Sequence, residues 1–147
     1  IGMYVGDDDS NRGFQGFLTY GISRIPDEAT ITKVIVDLSA YDVPYESPFP
    51  HLGCLGAYVQ DYKTLYGAYW TDDVPAPIGE WCSLDELDAP EAEDGFRRAL
   101  QKKVGRNMFQ FRLQFADRNT EGDDARDLLH WERYGLPVLT VEYTVPD

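Results

Sequence analysis

Oxygen-bearing side chains alternate along one acidic segment in the C-terminal third of the chain. They stand at the first, third and fifth positions of the segment, and a glycine occupies the sixth. This order matches the first half of an EF-hand-like loop, whose alternate oxygens converge on calcium and whose glycine allows a sharp turn. The twelfth position, which should carry a bidentate acid, is Leu128. We therefore predict a calcium site without a complete EF-hand, with a solvated acidic turn as the alternative. Its candidate ligands are Asp117, Asn119, Glu121, Asp123, Asp124 and Asp127.

A second acidic cluster, Asp7-Asp8-Asp9, lies near the start of the chain. Three successive strand residues cannot all face one ion, because their side chains alternate between the two faces. In a bent loop two of them can converge. Asp7 and Asp9 are therefore candidate ligands of the same calcium ion or of a second one.

The remaining reactive side chains do not form a catalytic motif. His51 lies in a proline-rich segment and His130 beside an aromatic residue, and no serine nucleophile motif is present. We predict that the protein is not an enzyme. Cys54 and Cys82 allow one disulfide in an extracellular setting, and two buried free thiols are the alternative.

Charge and length limit the range of partners. The chain has 147 residues and a net charge of −13, so we expect one domain spanning residues 1–147 that binds no nucleic acid, because phosphate binding requires excess positive charge. No apolar run is long enough to insert into a membrane. The excess acid favours a soluble surface or a bound cation such as Ca²⁺.

An aromatic segment in the middle of the chain has the residue types that stack on sugar rings. Exposed tyrosine and tryptophan rings bind sugar faces, whereas buried rings only fill a core. The candidate ligand-binding residues are Tyr66, Tyr69 and Trp70.

Alternating apolar residues predict an antiparallel β-sandwich around these groups. The clearest case is the strand from Phe109 to Phe115, where Gln110, Arg112 and Gln114 define a predicted water-facing side. About eight strands are expected, and they span residues 1–6, 13–20, 31–41, 53–62, 80–84, 107–116, 128–132 and 138–145. The segment 42–50 holds three prolines and is predicted to be a loop.

One helix is predicted between Asp88 and Lys103. Asp88 is a suitable N-cap, and a proline and an acid follow it. Phe96, Ala99 and Leu100 then recur at helical spacing, so the helix is expected to pack its apolar stripe on the sandwich.

Several of these segments together resemble a known family. The run from Tyr20 to Val36 has an aromatic residue, Ile25-Pro26, and an Ala-Thr-Ile sequence that leads into a β-branched strand. With the later segments 109–115, 130–132 and 137–143, it is similar to secreted jelly-roll β-sandwich modules of the DNRLRE or disaggregatase-repeat type. The resemblance implies a two-sheet jelly roll on a cell-surface or extracellular protein, next to carbohydrate-active enzymes in some cases.

Two functions are compatible with these features. The first is a structural or adhesive surface subunit that assembles with itself or with other surface proteins. Its apolar N-terminal strand, residues 1–6 with Ile1, Met3, Tyr4 and Val5, would be donated to a neighbour as in a filament. The second is a carbohydrate-binding module that recognises a polysaccharide as part of a larger secreted protein.

Overall fold

A computed structural model describes residues 2–61, 76–117 and 123–147 of the chain. Within these residues the chain forms eleven strands and three short helices. The strands are β1 (Gly2–Asp7), β2 (Gly13–Phe14), β3 (Gly16–Gly21), β4 (Thr30–Asp37), β5 (Tyr41–Asp42), β6 (Leu55–Val59), β7 (Gly79–Trp81), β8 (Glu91–Ala92), β9 (Met108–Phe115), β10 (Asp127–Glu132) and β11 (Val138–Thr144). The helices are α1 (Phe49–Leu52), α2 (Leu84–Asp88) and α3 (Asp94–Gln101).

The strands pair antiparallel in three open sheets. Their orders are β2-β1-β10-β5, β11-β4-β8 and β3-β9-β6-β7. The fold is thus mostly antiparallel β-structure, as predicted. The expected count of about eight strands was too low, because β2, β5 and β8 are two-residue strands that pair with longer neighbours and are too short to show a periodicity.

One hydrophobic core joins the three sheets. Val5 and Trp131 come from the first sheet, Val34 and Val36 from the second, and Phe111 from the third. Phe96 of α3 packs edge-on against Phe111, with ring centroids 5.1 Å apart. The Trp131 indole donates a hydrogen bond to the Leu38 carbonyl at 3.0 Å, which satisfies its N–H in the core.

Strand β9 does not have the water-facing side that its alternation predicted. Gln110, Arg112 and Gln114 are all buried. Strand β3 and the residue before it supply polar partners, since Gln110 donates to Thr19 at 3.0 Å and Gln15 donates to Gln114 at 2.9 Å. Polar residues at alternate positions predict exposure only when nothing covers the second face of the sheet. Here that face is buried; both glutamines are hydrogen-bonded, whereas Arg112 reaches Gln60 through Nη1 only and its Nε and Nη2 have no hydrogen-bond partner among the described residues.

The prediction of a single helix beginning at Asp88 was also wrong. The described residues contain three helices, and the one that matches begins at Asp94. Glu91 and Ala92 pair with Val36 and Ile35 as strand β8, so the helix begins only after Glu93, which is its N-cap. Backbone pairing with the edge of β4 thus takes precedence over the capping pattern at Asp88. The apolar stripe itself is confirmed, because Phe96 and Leu100 are buried.

The other two helices occupy segments predicted as loop and strand. Helix α1 forms in the proline-rich segment because prolines are tolerated in the first turn, and Pro50 lies there. Helix α2 begins after Ser83, whose side chain accepts a hydrogen bond from the Glu86 backbone N–H, a standard N-cap. The strand predicted over residues 80–84 consequently ends at Trp81.

Candidate functional site

Two buried carboxyl groups face each other where β1 meets β10. Asp7 and Asp127 are direct partners in the antiparallel register, and neither is accessible to solvent. Their side chains are in contact, and this contact raises the pKa of Asp127, because a second carboxyl group disfavours the charged form of the first. The pair therefore favours a positively charged group or ion nearby.

A second segment of the chain approaches Asp127 from the side of α1. The His51 Nδ1 lies 2.8 Å from an Asp127 carboxylate oxygen and 3.7 Å from an oxygen of Asp123. Glu46 is placed nearby by its backbone, because its N–H donates to the Arg126 carbonyl at 3.1 Å. Donor atoms of Glu46, His51 and Asp127 all lie within 4.8 Å of one another. We call these three residues and Asp123 the His51 cluster.

The electrostatics of the cluster follow from this geometry. The hydrogen bond to Asp127, together with the charges of Asp127, Asp123 and Glu46, raises the pKa of His51 above its ordinary value. Burial raises the pKa of Asp127, and Asp7 adds to this increase while His51 opposes it. Three carboxyl groups thus surround one imidazole, and the cluster attracts cations.

Only some of the predicted calcium ligands meet at this point. Asp123 and Asp127 belong to the His51 cluster, and Asp7 contacts it through Asp127. Asp9 instead forms an ion pair with Arg126 at 3.0 Å. Asp117 and Asp124 are exposed. Asn119 and Glu121 lie outside the described residues, so the calcium-binding loop stays a prediction.

Sequence reasoning missed Glu46 and His51 as members of the site. His51 and Asp127 are 76 positions apart, and the segment around His51 was interpreted only as a proline-rich loop. No local motif links the two segments. The parallel bridge between Glu46 and Asp127 is what brings them together.

The two cysteines form a disulfide in the structure. Cys54 directly precedes β6 and Cys82 directly follows β7, with their Cα atoms 4.2 Å apart. Of the two possibilities that the sequence left open, the structure contains the paired one. Bonded sulfurs are not thiolate ligands, so Glu80, which lies beside Cys82, has no metal-binding partners there.

The N-terminal strand is integrated in its own sheet. Met3 and Val5 are buried in the core, whereas Tyr4 is 43% exposed and its ring packs 4.3 Å from the His130 ring. Strand β2 pairs only with Gly6 and Asp7, so in the described part of the chain no strand pairs with the outer edge of residues 2–5. Ile1 lies outside the described residues.

The predicted sugar-stacking residues Tyr66, Tyr69 and Trp70 also lie outside the described residues. A groove of about 550 Å³ is lined by described residues that include Val59, Ile78 and Ala99. We call it the basic groove, because its lining also contains Arg98, Lys102, Lys103 and Arg106. In a chain of net charge −13, this local excess of positive charge favours anionic ligands.

Comparisons with protein-family models, with curated proteins and with solved structures find no match to this chain. None of the described helices combines the length and the apolarity needed to cross a bilayer. The arguments for function therefore depend on the chain's own residues.

Proposed function

We propose that this protein is a non-catalytic structural or adhesive domain of the cell surface or extracellular space, which self-assembles by donating strand β1. We further propose that its three sheets form a jelly-roll sandwich, since they share one core. The disulfide supports an oxidising, extracellular location. The observation that carries the assembly proposal is the way β1 completes the first sheet.

Strand β1 has the properties of an exchangeable strand. It pairs with β10 along its whole length, from Gly2 opposite Glu132 to Asp7 opposite Asp127. Met3 and Val5 occupy core positions, and Gly16 of β3 lies directly over the Met3 sulfur. The same contacts form when a second copy supplies the strand, so exchange replaces interactions without losing them.

Chain geometry after β1 is compatible with such an exchange. The strand is followed by an acidic turn in which the Asp8 carbonyl accepts a hydrogen bond from the Asn11 N–H at 3.0 Å. Opening this turn breaks contacts within residues 8–12 and one exposed long-range ion pair, between Asp9 and Arg126. The outer edge of residues 2–5 also offers a place for a neighbouring strand to add.

The test is to delete residues 1–6 and to follow assembly by light scattering and negative-stain microscopy. We expect the full chain to form oligomers or fibres, and the truncated chain to remain unassembled. A synthetic peptide of residues 1–9 should bind the truncated chain and raise its melting temperature, because it restores the pairing with β10. A scrambled peptide of the same composition is the control. Normal assembly of the truncated chain, or a full chain that stays monomeric at every concentration, would contradict the proposal.

A second candidate function is binding of an acidic polysaccharide, and the basic groove favours it. Arg98 pairs with Asp94, and Lys103 pairs with Asp61 at 2.6 Å. Lys102 and Arg106 form no side-chain ion pair with other described residues, so they are available to a uronic acid carboxylate.

The double variant Lys102→Glu/Arg106→Glu tests this alternative against a polyuronate and a neutral glucan. We expect the wild-type protein to retain the polyuronate in affinity electrophoresis, more weakly at high salt, and the variant to lose that retention. Lys33→Glu, an exposed change on β4, is the control. Equal retardation of the wild type and the double variant by polyuronate, each measured against its own mobility in a gel without polysaccharide, would rule out a binding site in the groove.

A further inference from the structure

The donor atoms of the His51 cluster differ from those that calcium prefers. Calcium takes six to eight oxygen ligands in most protein sites. In the cluster an imidazole nitrogen lies among carboxylate oxygens, 2.8 Å from Asp127 and 3.7 Å from Asp123. Mixed nitrogen and oxygen donors suit first-row transition ions, and Zn²⁺ above all takes four such ligands in a tetrahedron.

The two separations from His51 Nδ1 are close to what a tetrahedral ion requires. Two ligands that are each about 2.0–2.1 Å from zinc lie about 3.3 Å apart. The observed separations between His51 Nδ1 and its two carboxylate neighbours are 2.8 Å and 3.7 Å, so these two pairs need shifts of a few tenths of an ångström. Asp123 is not among the three residues whose donor atoms all lie within 4.8 Å of one another, so its side chain has to move further. The His51 side chain is 43% exposed and has room for such a shift.

The elements that carry the ligands are held in place independently of any ion. Asp127 is fully buried and belongs to the register with β1. Glu46 is fixed by its backbone bridge to Asp127. His51 lies on α1, where the Leu52 carbonyl also accepts a hydrogen bond from the Asp117 N–H at 2.9 Å. The site is thus largely preformed, which reduces the ordering cost of binding.

We propose that Glu46, His51, Asp123 and Asp127 form a binding site for a divalent transition-metal ion, best fitted by Zn²⁺. Such an ion ties α1 and the bridge at Glu46 to the start of β10. The proposal does not depend on strand donation, because all four ligands lie outside β1.

Isothermal titration calorimetry of the full chain, treated with chelator and dialysed, tests the proposal with ZnCl₂ and CaCl₂. We expect one zinc site, with a dissociation constant for calcium at least tenfold higher. His51→Gln and, separately, the exposed Glu46→Gln should each weaken zinc binding by about tenfold or more, since even outer-sphere changes have effects of that size. Cobalt substitution should give the visible absorption of a four-coordinate ion.

His130→Gln is the matched control, because His130 is the other histidine and also pairs with an acid, Asp42, at 3.1 Å. Zinc binding should be unchanged in this variant. Absence of zinc binding, tighter binding of calcium than of zinc, or zinc affinity that is insensitive to His51→Gln would each overturn the proposal. None of these outcomes affects the strand-donation test, which is measured on assembly.

Discussion

Asp8 organises the turn between β1 and β2 through one carboxylate. Its oxygens accept hydrogen bonds from the backbone N–H groups of Ser10 and Arg12, both at 2.9 Å, and from the Arg12 side chain at 2.7 Å. The turn includes Asn11 at a positive φ of 58°, which asparagine tolerates better than most residues. The Arg12 N–H is the main cause of the lowered pKa of Asp8, and burial opposes it.

Asp8→Ala should lower the free energy of unfolding at pH 7 by about 2 kcal/mol, since charge-assisted hydrogen bonds are lost. The folded-state pKa of Asp8 lies below 3.8, so this contribution is present above pH 3.8 and is lost as the pH falls through the folded value. Urea unfolding of the wild type and of Asp8→Ala at pH 7 and near pH 3 measures the difference in their free energies of unfolding, which should be smaller near pH 3. Asp9→Ala, which removes an exposed ion pair, should cost less than about 1 kcal/mol. If the free energies of unfolding of the wild type and Asp8→Ala differed by the same amount at both pH values, this interpretation would be contradicted.

At the scale of elements, β1 approaches β10 closely at two glycines, Gly2 and Gly6, and only Gly6 also has a positive φ. Gly6 has a φ of 137°, and a Cβ built there would lie 1.9 Å from the Asp127 carbonyl oxygen. Any other residue would push the end of β1 away from β10 and separate Asp7 from Asp127. Both the strand pairing and the buried carboxyl pair therefore require glycine at this position.

Gly6→Ala should destabilise the protein by more than about 2 kcal/mol, because it combines an unfavourable φ with a backbone clash. Gly21→Ala is the matched control, since a Cβ there meets nothing within 4 Å, and its effect should stay within about 0.5 kcal/mol. Thermal melts of both variants provide the comparison. If the two substitutions have equal effects, β1 does not pack on β10 as described.

Across the whole molecule, the disulfide constrains the part of the chain between β6 and β7. Cys54 and Cys82 are 28 positions apart, and their strands pair directly, with Leu55 opposite Trp81. Leu55 and Trp81 both belong to the shared core. The disulfide thus lowers the conformational entropy of the unfolded chain. In the folded chain it joins two strands that already pack in the core.

Replacing both cysteines by serine should reduce the free energy of unfolding by about 3–4 kcal/mol in the chain-entropy model. Differential scanning calorimetry with and without dithiothreitol is the measurement. The reductant should lower the melting temperature of the wild type and leave the Cys54→Ser/Cys82→Ser variant unchanged. An equal response of both proteins would show that the disulfide does not contribute.

Local patterns in the sequence determined much of the strand structure. The alternation along β9 and the apolar stripe of α3 both follow from interactions between residues close in sequence. A strand at the N-terminus was predicted for the same reason, and it is observed from Gly2 to Asp7.

Contacts between distant segments decided the rest. The start of α3 moved to Asp94 because Glu91 and Ala92 pair with β4, and Arg112 is buried although the alternation along β9 predicted exposure. The His51 cluster joins segments 76 positions apart, and no local pattern predicts a contact between residues so far apart in the sequence. Side-chain periodicity reports which face of an element is apolar, whereas the partner of that face is fixed only when the sheets pack together.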